Sequence, residues 1–172
     1  MPPFDNRKTL FSERQRLMLW YWYLIPIFAW IDGIFARLLY VQLVQGIPAG
    51  NNPMSDTGLV IFSLLIFVFT FWFFSLRLDT VIKEDGIHLR FFRLTKPQYY
   101  PWEKIARFDI VKYKPITDYG GWGIRGERRN MVYTVSGNKG LQLYLSNGSK
   151  VLIGTRRPKE MEKALRELGK IK

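Results

Sequence analysis

Few residues in this sequence are of the types that carry out chemistry. The 172 residues include no cysteine and one histidine, His88, so disulfides, iron–sulfur clusters and thiol nucleophiles are excluded. Residues 17–76 contain no histidine, so a zinc site there would need carboxylates alone, and we expect neither a metal nor a cofactor. The serines Ser136, Ser146 and Ser149 lie in turn-like segments with no histidine nearby in the sequence, and the acidic residues are scattered singly. We therefore predict that the protein is not an enzyme.

Arginine is the residue type best suited to recognition, because its guanidinium binds carboxylate and phosphate groups through two parallel hydrogen bonds. Two clusters lie in the C-terminal part of the chain, one made of Arg125, Arg128 and Arg129 and the other of Arg156 and Arg157. We predict that they bind a protein partner or anionic lipid headgroups. The alternative is a basic surface that only water covers. No nucleic-acid recognition motif is present, and we expect no nucleic-acid partner.

The stretch YGGWGIRG, residues 119–126, combines glycines with one large aromatic residue. Its glycines are Gly120, Gly121, Gly123 and Gly126. The first two permit the positive φ that bends a chain, and the other two bare the backbone so that a strand, a helix or a headgroup can approach. We predict a bulged strand with Trp122 packed against the terminal helix or a membrane surface. The alternative is a partner groove lined by Trp122 and Arg125. The spacing is not that of a nucleotide-binding loop.

The net charge of +12 and the mean hydropathy of -0.07 are averages over two unlike parts of the chain. Residues 17–76 are rich in Leu, Ile, Phe, Trp and Tyr, and their only charged residues are Asp32, Arg37 and Asp56. Residues 77–172 contain 21 Lys and Arg residues against 10 Asp and Glu residues, and their length is usual for one domain. The pattern indicates a membrane section followed by a basic domain.

Two segments of the apolar part are long enough to cross a membrane. Residues 57–76 carry no charge, and at about 1.5 Å per residue they span roughly 30 Å, the thickness of the hydrocarbon core of a bilayer. Residues 17–44 are longer and are interrupted by Pro26, Asp32 and Arg37. We predict that the two segments form a transmembrane helical hairpin.

The charges that flank this hairpin predict its orientation. Residues 1–16 contain several Lys and Arg residues and Arg77 follows the second span, whereas residues 45–56 between the spans contain neither type. By the positive-inside bias, both termini are cytoplasmic. We therefore expect membrane lipids around the hairpin, and we predict that residues 1–16 are a basic cytoplasmic tail.

Asp32 is the ionisable residue that lies inside the first predicted span. A charged group in a membrane is costly and usually faces protein, water or a partner charge. We predict an intramembrane contact with Arg37 or with a basic residue of another subunit. The second case would make the hairpin part of a homo-oligomer or of a complex with a protein partner. A proton pathway would need further ionisable groups, which the second span does not contain.

After the second span, apolar and polar residues alternate in the manner of strands. GIHLRFFRL, residues 86–94, places its apolar side chains on one face, and GLQLYLSNGSKVLIGT, residues 140–155, predicts a hairpin with Asn147 and Gly148 at its turn. Pro158 begins an amphipathic helix. Six or seven strands followed by one helix predict an α+β fold, in which the helix closes a β-sandwich or open barrel.

The segments YGGWGIRG (119–126), YTVSGNKGLQLYLSNG (133–148) and VLIGTRRPKEMEKAL (151–165) resemble the bacterial pleckstrin-homology-like (PH-like) membrane family. Its members join two transmembrane helices to a cytoplasmic domain. The resemblance implies a seven-stranded PH-like domain with a C-terminal helix, in a multi-pass protein of the bacterial cytoplasmic (inner) membrane. It implies no particular function. The basic loop that binds phosphoinositides in eukaryotic PH domains corresponds to KEDGI, where Lys83 is the only base, so that site does not carry over.

These features predict a membrane-anchored, non-enzymatic interaction module, whose PH-like domain, residues 77–172, binds a protein partner or anionic lipid headgroups. The alternative is an accessory, non-catalytic subunit of a larger membrane complex, in which the hairpin packs beside other helices. In either case, the candidates for contact with the partner are Trp122 and the five arginines of the two clusters.

Overall fold

The computed structural model describes residues 8–16, 22–48, 50–127 and 129–169. The chain has an α+β fold and divides into two compact units. One is the helical unit Met18–Ser75, and the other combines Met1–Leu17 with Leu76–Lys172. The helical unit is therefore an insertion in the sequence of the unit that contains the sheets.

The helical unit contains two long helices. α1 runs over Leu24–Leu39 and continues as a π-helical turn over Tyr40–Val44, and α2 runs over Asp56–Phe74. Ser55 caps α2, because its side-chain oxygen accepts a hydrogen bond from the backbone N–H of Gly58 at 3.2 Å. Both helices are long and apolar enough to cross a membrane. The prediction of two such helices is confirmed.

The observed helices are shorter than the predicted spans. The first span was expected from residue 17, but residues 17–21 lie outside the described residues, and α1 begins at Leu24. The second span was expected to end at residue 76, and α2 ends at Phe74. The difference at this end arises because Leu76 is buried in the other unit.

α1 and α2 pack against each other through aromatic side chains. Phe28 of α1 lies against Phe73 and Phe74 of α2, with ring centroids 5.1 and 5.2 Å apart, respectively. Further along α1, the ring centroid of Phe35 lies 5.4 Å from that of Phe62. Since the early residues of α1 meet the late residues of α2, the two helices are antiparallel.

The first sheet consists of four antiparallel strands in sequential order: β1 (Thr9–Arg16), β2 (Arg77–Lys83), β3 (Gly86–Phe92) and β4 (Gln98–Pro101). Residues 1–16 are predicted from the sequence to be a tail, whereas Thr9–Arg16 pairs with β2. Residues of β1 alternate between buried and exposed, but two of the buried ones, Glu13 and Gln15, are polar. The domain is therefore built from two segments of the chain, and its expected start at residue 77 is corrected.

The second sheet consists of five strands: β5 (Ile105–Lys112), β6 (Gly123–Glu127), β7 (Asn130–Thr134), β8 (Lys139–Leu145) and β9 (Lys150–Gly154). Their order is β5-β8-β9-β7-β6. β7 and β9 are parallel, and the other neighbours are antiparallel. The predicted hairpin is confirmed as β8–β9, and in its turn the Asn147 side chain accepts a hydrogen bond from the Ser149 backbone N–H at 3.0 Å.

Two shorter helices belong to the same unit: α3 (Pro115–Tyr119) and α4 (Pro158–Glu167). α4 buries Met161, Ala164 and Leu165, and it contacts both β1 of the first sheet and β8 of the second. The predicted terminal helix is confirmed, and it packs on both sheets. The strands number nine in the described part of the chain, against the six or seven expected, and the two sheets do not close into a barrel.

Candidate functional site

The glycine-rich stretch begins where α3 ends and leads into β6. Gly120 has a φ of +68° and Gly121 a φ of +116°, which confirms the predicted bend. Trp122 is half-buried, and its indole Nε1 donates a hydrogen bond to the carbonyl oxygen of Gly137 at 3.0 Å. This bond attaches the start of β6 to the turn between β7 and β8.

Gly126 lies at the other end of β6, next to the turn that leads into β7. Its φ is +90°, and a Cβ at this position would collide with the carbonyl oxygen of Asn130. The element that approaches the backbone at Gly126 is therefore the neighbouring strand β7. A strand was one of the three predicted possibilities, beside a helix and a headgroup.

A shallow groove of about 280 Å³ lies on the face of the second sheet that α3 partly covers. Its lining residues include Tyr119, Asn130, Val132, Gln142, Lys150 and Leu152. Trp122 and Arg125 are not among the lining residues, so this groove differs from the one expected. Its volume is slightly below the range of about 300–1,000 Å³ that is usual for small-molecule sites.

A small apolar cluster forms the floor of this groove. Tyr113, Val132 and Leu152 are buried together, and Tyr119 packs against them with its ring centroid 6.0 Å from that of Tyr113. Burial raises the pKa of the Tyr113 hydroxyl to about 12. This phenol is therefore neutral at physiological pH.

The two predicted arginine clusters lie at opposite ends of β9. The carbonyl oxygen of Arg129 accepts a hydrogen bond from the backbone N–H of Lys150, at the start of β9, at 2.6 Å. Arg156 follows the other end of this strand, and six residues of extended chain span roughly 20 Å. Arg125 and Arg129 are exposed, and Arg128 lies outside the described residues. The two clusters are therefore separate surfaces and not one patch.

Arg157 makes structural contacts within the domain. Its guanidinium donates two hydrogen bonds to the Glu160 carboxylate and one to the carbonyl oxygen of Ser12 at 3.3 Å. It also lies 5.6 Å from the centre of the Phe11 ring. The hydrogen bonds from Arg157 lower the pKa of the Glu160 carboxyl. Arg157 thus links α4 to β1, although it is exposed like its neighbour Arg156.

The buried polar residues of β1 attach this strand to the end of β9. The Glu13 carboxylate accepts hydrogen bonds from the Thr155 hydroxyl at 2.6 Å and from the Arg156 backbone N–H at 2.9 Å. The Gln15 side-chain nitrogen donates to the carbonyl oxygen of Gly154 at 2.7 Å. Hydrogen bonds therefore connect the two sheets in place of apolar contacts at this point.

A further group of arginines lies on the outer side of the first sheet. We define the arginine face as Arg14, Arg16, Arg77 and Arg90, with Phe92 and Asp79 among them. Two rows of strand partners form it: in one row Arg14 is opposite Asp79 and Asp79 opposite Arg90, and in the next Arg16 is opposite Arg77 and Arg77 opposite Phe92. The sequence analysis did not predict this face, because it placed Arg14 and Arg16 in a tail.

Side-chain contacts join the members of the arginine face. The Asp79 carboxylate accepts hydrogen bonds from Arg14 Nε at 2.9 Å and from Arg77 Nε at 3.1 Å. The guanidinium carbon of Arg77 lies 4.3 Å from the centre of the Phe92 ring, and that of Arg90 lies 5.1 Å from it. The face therefore presents several guanidinium groups around one aromatic ring.

Asp32 contacts the second helix of its own unit. Its carboxylate accepts a hydrogen bond from the hydroxyl of Thr70 on α2 at 3.1 Å. Arg37 is exposed and lies five residues further along α1, about 140° around the helix axis from Asp32. The partner of Asp32 in the structure is therefore Thr70 and not Arg37, as was expected from the sequence.

The histidine has a partner on the first sheet. His88 Nε2 lies 3.2 Å from both carboxylate oxygens of Asp85, and the imidazole stacks on Tyr99 with ring centroids 4.7 Å apart. Within the described residues, no group of three His, Cys, Asp or Glu side chains is positioned to hold a metal ion.

No protein-family model, curated protein or solved structure matches this chain.

Proposed function

We propose that this chain is a membrane-anchored, non-enzymatic interaction module. In this proposal α1 and α2 cross the bacterial cytoplasmic membrane, and the basic domain binds an anionic partner at the cytoplasmic surface. The observation that carries the proposal is the insertion of the helical unit between two paired strands, β1 and β2, whose last and first residues, Arg16 and Arg77, are direct partners.

This pairing constrains how the helices can cross a membrane. Cα atoms of directly opposed residues in an antiparallel pair lie about 4.5–5.5 Å apart, so the chain leaves the domain and returns to it at almost the same point. An odd number of crossings would place β1 and β2 on opposite sides of the membrane. Two crossings by the two apolar helices keep the domain on one side, and the lack of Lys and Arg in residues 45–55 favours the cytoplasmic side.

The chemistry of the domain favours binding over catalysis. Its exposed charged groups are mainly guanidinium and ammonium groups, and arginines such as Arg14 and Arg16 are exposed. Guanidinium groups bind carboxylates of an acidic protein segment and phosphates of anionic lipids with the same hydrogen-bond geometry. An anionic partner at the membrane surface is therefore the ligand class that this domain fits best.

A PH-like fold for the domain is part of the proposal. Two sheets of mostly antiparallel strands, followed by an amphipathic helix that packs on both, support it. The strand β1, contributed from before the helical unit, is one of the two strands by which the nine described strands exceed the expected seven.

Cysteine accessibility tests the proposed topology. Since the chain has no cysteine, single cysteines can be introduced at Asn51, between the helices, and at Ser146, in the β8–β9 turn, both of which are exposed. An impermeant thiol reagent added to intact cells should label the first position and not the second. Labelling of both positions in permeabilised cells is the control, and labelling at Ser146 in intact cells would contradict the proposal.

Purification in mild detergent distinguishes the module from an accessory subunit. A module that meets its partner reversibly should be recovered alone or as copies of itself at moderate salt. Recovery with a second membrane protein in fixed ratio, unchanged at high salt, would support the accessory-subunit alternative. Salt distinguishes the two cases because exposed ion pairs weaken as the Debye length falls.

A further inference from the structure

We infer that the arginine face binds the phosphate groups of anionic phospholipids in the membrane that α1 and α2 cross. The inference rests on the proposed function and assigns the lipid contact to the first sheet. The sequence-predicted clusters around Arg125 and Arg156 lie in or after the strands of the second sheet and contribute no residue to it.

The strand register holds the four arginines of this face close together. Arg16 lies opposite Arg77, and Arg14 lies opposite Asp79, which lies opposite Arg90. Adjacent strands are about 4.8 Å apart, and residues two apart on a strand are separated by roughly 6.7 Å. The four Cα positions therefore lie within an area about as wide as one phospholipid headgroup. Contacts with Asp79 and Phe92 also bring the guanidinium groups of Arg14, Arg77 and Arg90 together.

The charges of the face are only partly balanced within the domain. Asp79 is the carboxylate that Arg14 and Arg77 share. Arg90 Nε is buried and has no hydrogen-bond partner among the described residues, and an unsatisfied buried donor is costly. Because this Nε is shielded from solvent, a phosphate would bind the other guanidinium nitrogens of the face. It would also reduce the repulsion between the neighbouring guanidinium groups.

The covalent connection to α2 keeps the face within reach of lipid. Arg77 is three residues after Phe74, the last residue of α2, so the two are separated by at most about 11 Å. The headgroup region on each side of the hydrocarbon core is roughly 5–8 Å thick. Wherever the domain settles on a membrane that α2 spans, Arg77 therefore lies in the headgroup region or at its edge.

Apolar groups at the same edge suit this interfacial position. The Phe92 ring is half-buried among guanidinium groups, and Arg93, which also lies over it at 5.3 Å, adopts a positive φ of +67°. The turn formed there leaves the side chain of Leu94 43% exposed. Aromatic and aliphatic side chains beside basic ones are typical of the membrane interface. An acidic protein segment would require none of these apolar groups to face outward.

Lipid-dependent thermal stability of the full-length protein in detergent tests the inference. The probes are phosphatidylglycerol, phosphatidylcholine and inorganic phosphate, each titrated to half-maximal shift of the Tm. The test variant is Arg16→Gln with Arg90→Gln. The matched control is Arg125→Gln with Arg129→Gln, which removes the same charge from exposed positions of the second sheet and the turn that follows β6.

We expect the half-maximal phosphatidylglycerol concentration to rise about tenfold or more in the test variant, because each juxtamembrane base contributes about a fivefold factor. In the control it should change less than about twofold. If the test variant melts at a lower temperature without lipid, Arg16→Lys with Arg90→Lys keeps the charge and should stay within about threefold of the wild type.

Four outcomes would overturn the inference. Two concern the variants: an effect in the control that equals the effect in the test variant, or one that exceeds it. The other two concern the probes: a Tm shift with phosphatidylcholine, or with inorganic phosphate at the same concentration, that equals the shift with phosphatidylglycerol. Retention in carbonate-washed membranes is measured separately. A protein that stays in washed membranes but shows one of these outcomes refutes the lipid site alone, whereas loss from washed membranes refutes the proposed function.

Discussion

At the residue scale, Glu13 carries a carboxylate into the interior of the domain. Only 6% of its surface is exposed, and it accepts hydrogen bonds from Thr155 and Arg156. A polar group at this depth does not add apolar burial. Its contribution is to fix the register of β1, because in another register the Thr155 and Arg156 donors would lose their acceptor.

We predict that Glu13→Ala destabilises the domain by about 1–3 kcal/mol, since it leaves the buried Thr155 hydroxyl and the part-buried Arg156 backbone N–H without their acceptor. Arg14→Ala is the control, because Arg14 is adjacent on the same strand and its exposed salt bridge with Asp79 contributes at most about 1 kcal/mol. Thermal melts of the full-length variants in detergent measure both effects. Equal melting temperatures for the two variants would show that the Glu13 network does not hold β1.

Tyr113 makes stability depend on pH in the alkaline range. Its pKa is raised from 10.0 to about 12 by burial, so between these two values the unfolded state releases a proton that the folded state keeps. Stability is then complete below pH 10 and falls as pH rises towards 12.

We therefore expect the Tyr113→Phe variant to gain stability relative to the wild type as pH rises from 9 to 11.5, because the variant lacks this ionisation. The measurement is the difference in Tm between the two proteins across that range. Tyr100, whose pKa burial also raises, titrates in both proteins and cancels in the comparison. A difference in Tm that stays constant with pH would place the Tyr113 hydroxyl in contact with water.

At the element scale, the helical unit is held by aromatic packing and by polar contacts between its helices, among them those of Asp32 with Thr70 and of Gln42 with Asp56. Phe28 and Phe35 of α1 meet phenylalanines of α2, and Asp32 lies between them and bonds to Thr70. A polar contact of this kind sets which faces of two apolar helices meet, because other rotations of α1 would leave Asp32 without a partner.

A double-mutant cycle on Asp32→Ala and Thr70→Val should give a coupling energy of about 0.6 kcal/mol and no more than about 1.7 kcal/mol. The reference is Ser63→Ala, which removes a buried hydroxyl without a hydrogen-bond partner among the described residues and should therefore cost little. Unfolding of the full-length protein by titration with a denaturing detergent measures all variants. A coupling energy of zero would mean that Asp32 and Thr70 do not interact.

At the scale of the whole molecule, the chain is one discontinuous domain with a helical unit inserted in it. Arg16 and Arg77 are paired, and Leu76 is buried in the sheet-containing unit. The inserted residues are thus not needed to bring β1 and β2 together. A short turn can replace them, since three-residue connections that contain glycine are common in hairpins.

We predict that replacing residues 17–75 by Asn-Gly yields a soluble protein that melts cooperatively. The matched comparison is the segment of residues 76–172 alone, which lacks β1. It therefore leaves the edge of β2 unpaired and removes the contact between β1 and α4. It should aggregate or melt at a markedly lower temperature. Equal melting temperatures for the two proteins would mean that residues 1–16 are a tail and not part of the folded domain.

The parts of the fold that the sequence analysis predicted correctly are those with local causes. The length of an uncharged apolar run determines a helix such as α2, a glycine after an asparagine favours the β8–β9 turn, and Pro158 suits the first turn of α4. Each depends on neighbours within a few residues, so the sequence alone was sufficient. The apolar composition of both long helices likewise needs no knowledge of their packing.

The tertiary structure alone decided which arginines share a surface. β1 carries Glu13 and Gln15 on its buried side, so it lacks the apolar alternation that predicts a strand, and its partner strand follows the whole helical unit. Only that long-range pairing places Arg14 and Arg16 beside Arg77, and the pairing of β7 with β9 separates Arg129 from Arg156. The physical reason is that hydrogen-bonded register between distant segments, unlike helix length or turn type, is determined by what each side chain meets after the chain has folded.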